Sequence, residues 1–125
     1  MSFQGREYIN YAEHLSIDLK SLGKAGNLHL SQAASRAIAS RAYYGALLEV
    51  RDYFSLQNSE ASSIHQEVGK RIKIANREAA NDLSILKALR VKADYKSHKT
   101  VSGRDVSNSL RLARKILTYI DSQIS

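Results

Sequence analysis

Arg90, Asp94 and Tyr95 fall within six residues, with His98 three further on, and Arg41, Tyr43 and Tyr44 form a second group about fifty residues earlier. A guanidinium binds phosphates and carboxylates, and a phenol or imidazole close by can supply a hydrogen bond or a proton. On a helix Arg90 and Asp94 stand at i and i+4, so an ion pair between them would aim the guanidinium. Tyr95 follows Arg90 after four intervening residues; with a phenol pKa of about 10 it donates hydrogen bonds but is a poor base at neutral pH. His98 follows after seven, which is about 12 Å further along a continuous helix. It joins Arg90 only where the helix ends near Tyr95 and residues 96–100 fold back.

Arg41 lies four residues after Ala37 and three before Tyr44, on a helical face expected to be partly buried. A guanidinium there needs an acceptor or an aromatic plate. Either it contacts a phosphate or base, or it belongs to a structural ion-pair group with Arg90 and Asp94. Tyr43 and Tyr44 are expected to pack, with their hydroxyls finding local acceptors.

Charge is distributed unevenly. Residues 70–115 hold 13 of the 19 Lys and Arg but only four acids, whereas residues 1–69 hold six bases against seven acids. A clustered positive field concentrates polyanions. Lys70, Lys73 and Arg77 share one face of a third helix, Arg104, Arg111 and Lys115 one face of the last, and Lys92, Lys96 and Lys99 lie between them in sequence. Adjoining faces would form a phosphate-tracking groove with strong salt dependence; diverging faces would only keep the protein in solution. The nucleic-acid contacts expected are Arg41, Lys70, Lys73, Arg77, Arg90, Lys92, Lys96 and Lys99. Cysteine is absent, which excludes disulfides and thiolate metal sites, and His14, His29, His65 and His98 sit on separate elements without metal-ligand spacing. No glycine-rich phosphate loop occurs, so neither a metal nor a cofactor is expected.

These side chains need a scaffold, and the apolar period supplies one. With 125 residues and no proline, the chain has room for a single domain, residues 1–125, that buries roughly two-thirds of its unfolded surface. Tyr8, Tyr11, Leu15, Leu19 and Leu22 trace a first helix ended by Gly23 and Gly26. Ser31 is placed to cap a second helix reaching about Phe54, whose many alanines and Gly45 admit neighbours closely on more than one side. Residues 55–60 read as a loop. Ile64, Val68, Ile72 and Ala75 mark a third helix, and a fourth begins near Glu78 and carries Arg90 in its last turns. Residues 96–101 lack a period and read as a mobile connection. Ser102 then caps a last helix, with Asp105 at its positive end and Val106, Leu110, Ala113, Leu117, Ile120 and Ile124 as its buried stripe. The fold class is all-α, an up-and-down bundle of four to five helices. No apolar run approaches the roughly 20 residues of a membrane span, and no signal-peptide core stands at the start; a cytoplasmic protein is expected.

Two segments, Ser40-Arg41-Ala42-Tyr43-Tyr44 and Arg90-Val91-Lys92-Ala93-Asp94-Tyr95, together resemble the HEPN superfamily over about residues 30–123. The first is similar to that family's second-helix signature, and the second to the Arg-x-x-Ala-Asp-Tyr run that closes its fourth helix. His65 resembles a histidine at the start of the family's third helix, and a structural or capping role is expected for it. The resemblance implies RNA or nucleotide binding, a homodimer, a role in a prokaryotic toxin-antitoxin or defence-type system, and a separately encoded minimal nucleotidyltransferase as partner. Active members carry a His separated from the Arg by four to six intervening residues and cleave RNA without metal. In them the Arg holds the scissile phosphate and stabilises the pentavalent transition state, while the His moves protons to or from the ribose hydroxyl or leaving oxygen, so the resemblance implies Arg90, Tyr95 and His98 as catalytic candidates. Here Tyr95 stands where that His begins to be expected. Three readings are open: a binding domain, a metal-independent ribonuclease using Arg90 with Tyr95 or His98, and a purely structural interaction module.

Overall fold

The computed structural model describes residues 4–24, 28–57, 60 and 63–124, and among these the chain forms five helices and no strands: α1 (Gly5–Lys24), α2 (Leu28–Tyr53), α3 (Ile64–Ala75), α4 (Arg77–Tyr95) and α5 (Gly103–Ile124). The all-α bundle expected from the apolar period is what the chain builds. Helix α2 packs against all four others, as its small residues allow. Its closest approach is to α1. A Cβ on Gly45 would lie 2.6 Å from the Gly5 carbonyl oxygen and 2.6 Å from Ile9 Cγ1, so only two glycines permit the crossing.

The larger part of the core gathers Ile9, Tyr43, Leu47, Val68, Ile72, Leu86 and Ile116, all buried, between α2 and the other helices. A smaller part sets Ala12, Ile38 and Ala39 against Ala93, Val101 and Val106. Each large aliphatic side chain so placed stabilises the fold by about 1.5–3 kcal/mol relative to exposure.

Several local expectations are corrected. On α1 Leu15 and Leu19 pack against the core as expected, but Ile9 and Ala12 are its fully buried residues and Tyr11 is half-exposed. Gly23 lies inside α1, and Gly26 and the side chain of Leu22 are outside the described residues. Helix α2 begins at Leu28, so Ser31 is interior; its carbonyl accepts from Ser35 Oγ at 2.9 Å. At the far end of α2, Ser55 takes the left-handed conformation (φ 57°), and the Leu56 N–H returns to the Arg51 carbonyl at 2.9 Å. In α5, Ile124 is exposed beyond the end of the core.

Asn76 alone separates α3 from α4. Its extended backbone (φ −159°, ψ 112°) stops α3, its N–H donates to the Ile72 carbonyl at 2.7 Å, and its side chain accepts from the Ala79 N–H at 2.9 Å as the cap of α4. The start of α5 is the expected capping box: Ser102 Oγ accepts from the Asp105 N–H at 3.1 Å, and Asp105 Oδ2 from the Ser102 N–H at 3.0 Å.

The expected mobile connection at residues 96–101 is instead pinned from α2. Arg36 donates to the carbonyls of Ala93 (2.8 Å), Lys92 (3.3 Å) and Ser97 (3.4 Å), and also to those of Lys96 and Lys99. Gln32 pairs with Val101 in both directions, Nε2 donating to its carbonyl at 3.1 Å and Oε1 accepting from its N–H at 2.7 Å. One guanidinium thus reaches two of the last four carbonyls of α4, those of Lys92 and Ala93, and ties the connection beyond them.

Candidate functional site

Arg90 sits in the last turns of α4 and points across to α2. Its Nη2 donates to Tyr44 Oη, and also to Tyr95 Oη at 3.2 Å. The guanidinium carbon lies 4.9 Å from the centre of the Tyr44 ring and 5.0 Å from that of Tyr95. Both distances are within cation–π range, so the charge is held against two aromatic plates. Asp94 Oδ2 is 3.0 Å from Arg90 Nε and accepts from Ser40 Oγ at 3.1 Å. The buried Nε–H makes no aligned hydrogen bond, so this is ion pairing by proximity alone. Most of the Arg90 side chain is covered, 12 % remaining exposed, whereas Tyr95 is 69 % exposed. The site therefore opens outward past Tyr95.

His65, in the first turn of α3, completes the group. Tyr43 Oη and His65 Nδ1 are 2.5 Å apart with the two rings nearly parallel, and the Tyr44 ring meets His65 edge-on at 6.0 Å. Tyr44 thus touches the guanidinium and the imidazole at once. Burial pushes the Tyr43 phenol up to about 12, with Arg90 opposing only in part. Burial also holds His65 below the ordinary histidine value, and the charges of Lys87 and Arg90 act in the same direction. The phenol therefore keeps its proton and the imidazole favours its neutral form, and the two share one hydrogen bond whose donor is set by the ring tautomer.

His98 does not join them. α4 ends at Tyr95, but the segment beyond it turns toward Arg36, and among the described residues His98 is exposed and makes no hydrogen bond, ion pair or ring contact. His14 is exposed on α1, and the side chain of His29 lies outside the described residues. Arg41 is also elsewhere. It lies over the Tyr11 ring at 5.4 Å and makes no ion pair among the described residues, so the ion pair at Asp94 belongs to Arg90 alone.

The basic residues separate into paired and unpaired sets. Lys92 pairs with Asp105 at 2.6 Å, Lys115 with Glu78 at 3.0 Å and Asp82 at 3.4 Å, and Arg114 with Glu13. The hydrogen bonds from Lys92 and Ser102 hold Asp105 below the ordinary carboxylate value in spite of its burial. Arg111 and Lys115 of the α5 stripe thereby face a groove that already contains acids, whereas Arg104 is exposed and does not line it. Lys73 and Arg77 instead line two adjoining hollows between α3 and α4, the first of which also holds Lys87 and His65. Among the described residues none of these three cations makes an ion pair. Lys70 is exposed on α3, and Lys96 and Lys99 are exposed in the pinned connection.

Spacing singled out Arg90, Asp94 and Tyr95 but missed His65 and Lys87 as neighbours of that group. The only signal in the sequence was an imidazole opening α3, opposite a Tyr-Tyr pair. Among the described residues no three His, Asp or Glu side chains gather as a metal-binding group, and no helix is long and apolar enough to cross a membrane. Comparison with protein-family models, curated proteins and solved structures finds no match for this chain.

Proposed function

We propose that this chain is a HEPN-like domain that binds RNA or a nucleotide, with Arg90 as the phosphate contact and the exposed Tyr95 ring beside it. The observation that carries the reading is the guanidinium set between Tyr44 and Tyr95 and ion-paired with Asp94, near lysines that make no ion pair among the described residues. A fixed fork of this kind suits a phosphate, and an exposed ring suits a base. The resemblance of the two motifs adds a homodimer, a separately encoded nucleotidyltransferase partner and a place in a toxin-antitoxin or defence-type system. Fluorescence anisotropy with a labelled single-stranded RNA tests it. Binding weakened at least tenfold in Arg90→Lys and Tyr95→Ala, with melting temperatures near wild type, is the expected result; unchanged binding in both removes the site and leaves an interaction module.

One contact favours a second reading, a metal-independent ribonuclease. Tyr44 brings an imidazole to the same ring that carries the guanidinium, and that imidazole is His65 rather than His98. Arg90 would stabilise the phosphorane while His65 exchanges protons with the reacting oxygens. The assay is RNA cleavage in EDTA. Activity abolished by Arg90→Ala and His65→Gln but kept in His98→Ala establishes the enzyme; intact RNA with wild-type protein ends this reading.

A further inference from the structure

The hollow between α3 and α4 has a construction that RNA binding along a surface does not call for. Its base is apolar and closed, made by the buried Tyr43 ring and Leu83. Its rim is cationic, with Lys73 from α3 facing Lys87 from α4. The Ser84 hydroxyl and His65, whose Nδ1 is engaged by Tyr43 Oη, also line the hollow. Nothing acidic lines it. The volume is about 250 Å³, below the roughly 300–1,000 Å³ of pockets that enclose a drug-sized ligand, so it admits a group rather than a whole molecule.

Gly69 is also part of its lining. A Cβ built there meets no atom within 4 Å, so this helical glycine faces open space rather than a neighbour. It differs in this from Gly45, whose lack of a side chain is explained by a crossing helix. From the hollow a second one, lined by Lys73, Arg77 and Asn81, continues along the α3/α4 seam.

We infer that the hollow floored by Tyr43 and Leu83 and rimmed by Lys73 and Lys87 is a binding site for a terminal phosphomonoester, the phosphate of a nucleotide or of an RNA end. Hydrogen-bond donors and cations from α3 and α4 converge on it and no carboxylate faces it. A terminal phosphate offers three oxygens and close to two charges to such a set. An internal phosphodiester offers two oxygens, one charge and a chain that must leave in both directions, which a closed base prevents. The Arg77 hollow then accommodates the sugar or the neighbouring nucleotide attached to that phosphate. This inference rests on the proposed nucleotide or RNA binding and adds which part of the ligand is recognised.

The test compares adenosine monophosphate with one short oligoribonucleotide carrying a 5′-phosphate, a 3′-phosphate or neither, titrated into wild-type protein, Gly69→Leu and Lys87→Gln. Gly69→Leu fills the hollow from an open position, and Lys87→Gln removes one rim charge at an exposed site, with melting temperature as the control for folding. A phosphorylated oligomer bound at least tenfold tighter than the hydroxyl form, with the difference erased by Gly69→Leu and reduced by Lys87→Gln, is the expected result. Equal binding of all oligomers overturns the inference and leaves the proposed function standing. A preference that survives Gly69→Leu also overturns it, because the phosphate then sits elsewhere. Adenosine monophosphate bound and displaced by Gly69→Leu, with no oligomer bound, keeps the site, makes the free nucleotide its source and removes the RNA reading. No binding of any probe overturns both.

Discussion

At the residue scale the most informative group is His65, because its protonation reports directly on its neighbours. Its folded form prefers the neutral ring, so in mildly acidic solution the unfolded chain takes up the proton more readily. The stabilising share is complete above an ordinary pKa of about 6.5 and is lost as pH falls through the lower folded value. Melting temperature is therefore expected to decline through this window, and His65→Gln to flatten that part of the decline. Removing a positive neighbour acts in the opposite sense: Lys87→Gln raises the His65 pKa, measured from imidazole NMR shifts, and an unmoved value would separate the two side chains. None of this was legible from spacing. Arg90, Asp94 and Tyr95 are local along one helix and could be read from the i, i+4 rule. His65 meets Tyr43 and Tyr44 only because α3 and α4 fold back onto α2, a matter of packing between distant segments.

At the element scale two glycines in helices call for opposite outcomes. Gly45→Ala puts a methyl group against the Gly5 carbonyl, a backbone atom that no side-chain rotation can move, and an overpacking cost of about 1–3 kcal/mol is expected in urea denaturation. Gly69→Ala meets open space and gains helix propensity, so the same measurement is expected to show stabilisation of about 0.5–1 kcal/mol. The Arg36 clamp gives a third outcome. In Arg36→Ala the carbonyls from Lys92 to Lys99 lose their shared donor, and trypsin is expected to cut at Lys96 and Lys99 under conditions where the wild type resists. The number and extent of the helices could be read from the 3.6-residue period, which is a local property. Leu15 and Leu19 pack as that period predicts, but the close crossing of Gly5 and Gly45, which seats Ile9 in the core, joins distant segments and could not be read from it. Asn76 was readable as a cap in retrospect, being an Asn three residues before the Ala79 N–H it accepts from. Arg36 was not, since its acceptors lie more than fifty residues away.

For the whole molecule, the formal charge of +7 overstates the field that a ligand meets and misplaces it. Arg114 and Lys115 of α5 and Lys92 are paired with acids, and Arg36 is spent on carbonyls, whereas Lys73, Arg77 and Lys87, without ion pairs among the described residues, gather in adjoining hollows near Arg90. Four phosphate contacts there correspond to a slope of about −3 for log affinity against log salt on single-stranded RNA, and charge removal at Lys73 or Lys87 is expected to flatten it by roughly 0.7. Charge removal at Lys115 or Arg114 is expected to leave the slope unchanged. The one-residue joint at Asn76 adds a consequence for the order of assembly. Both rims of the cationic seam come from a contiguous helical hairpin, closed by contacts between near neighbours in the chain, whereas the seat of Arg90 on Tyr44 joins residues 46 positions apart. Short closures form early and distant ones late. A partly folded chain accordingly presents a charged slot floored by Leu83 alone, attractive to any polyanion, and the closed base arrives only when the docking of α2 brings in Tyr43.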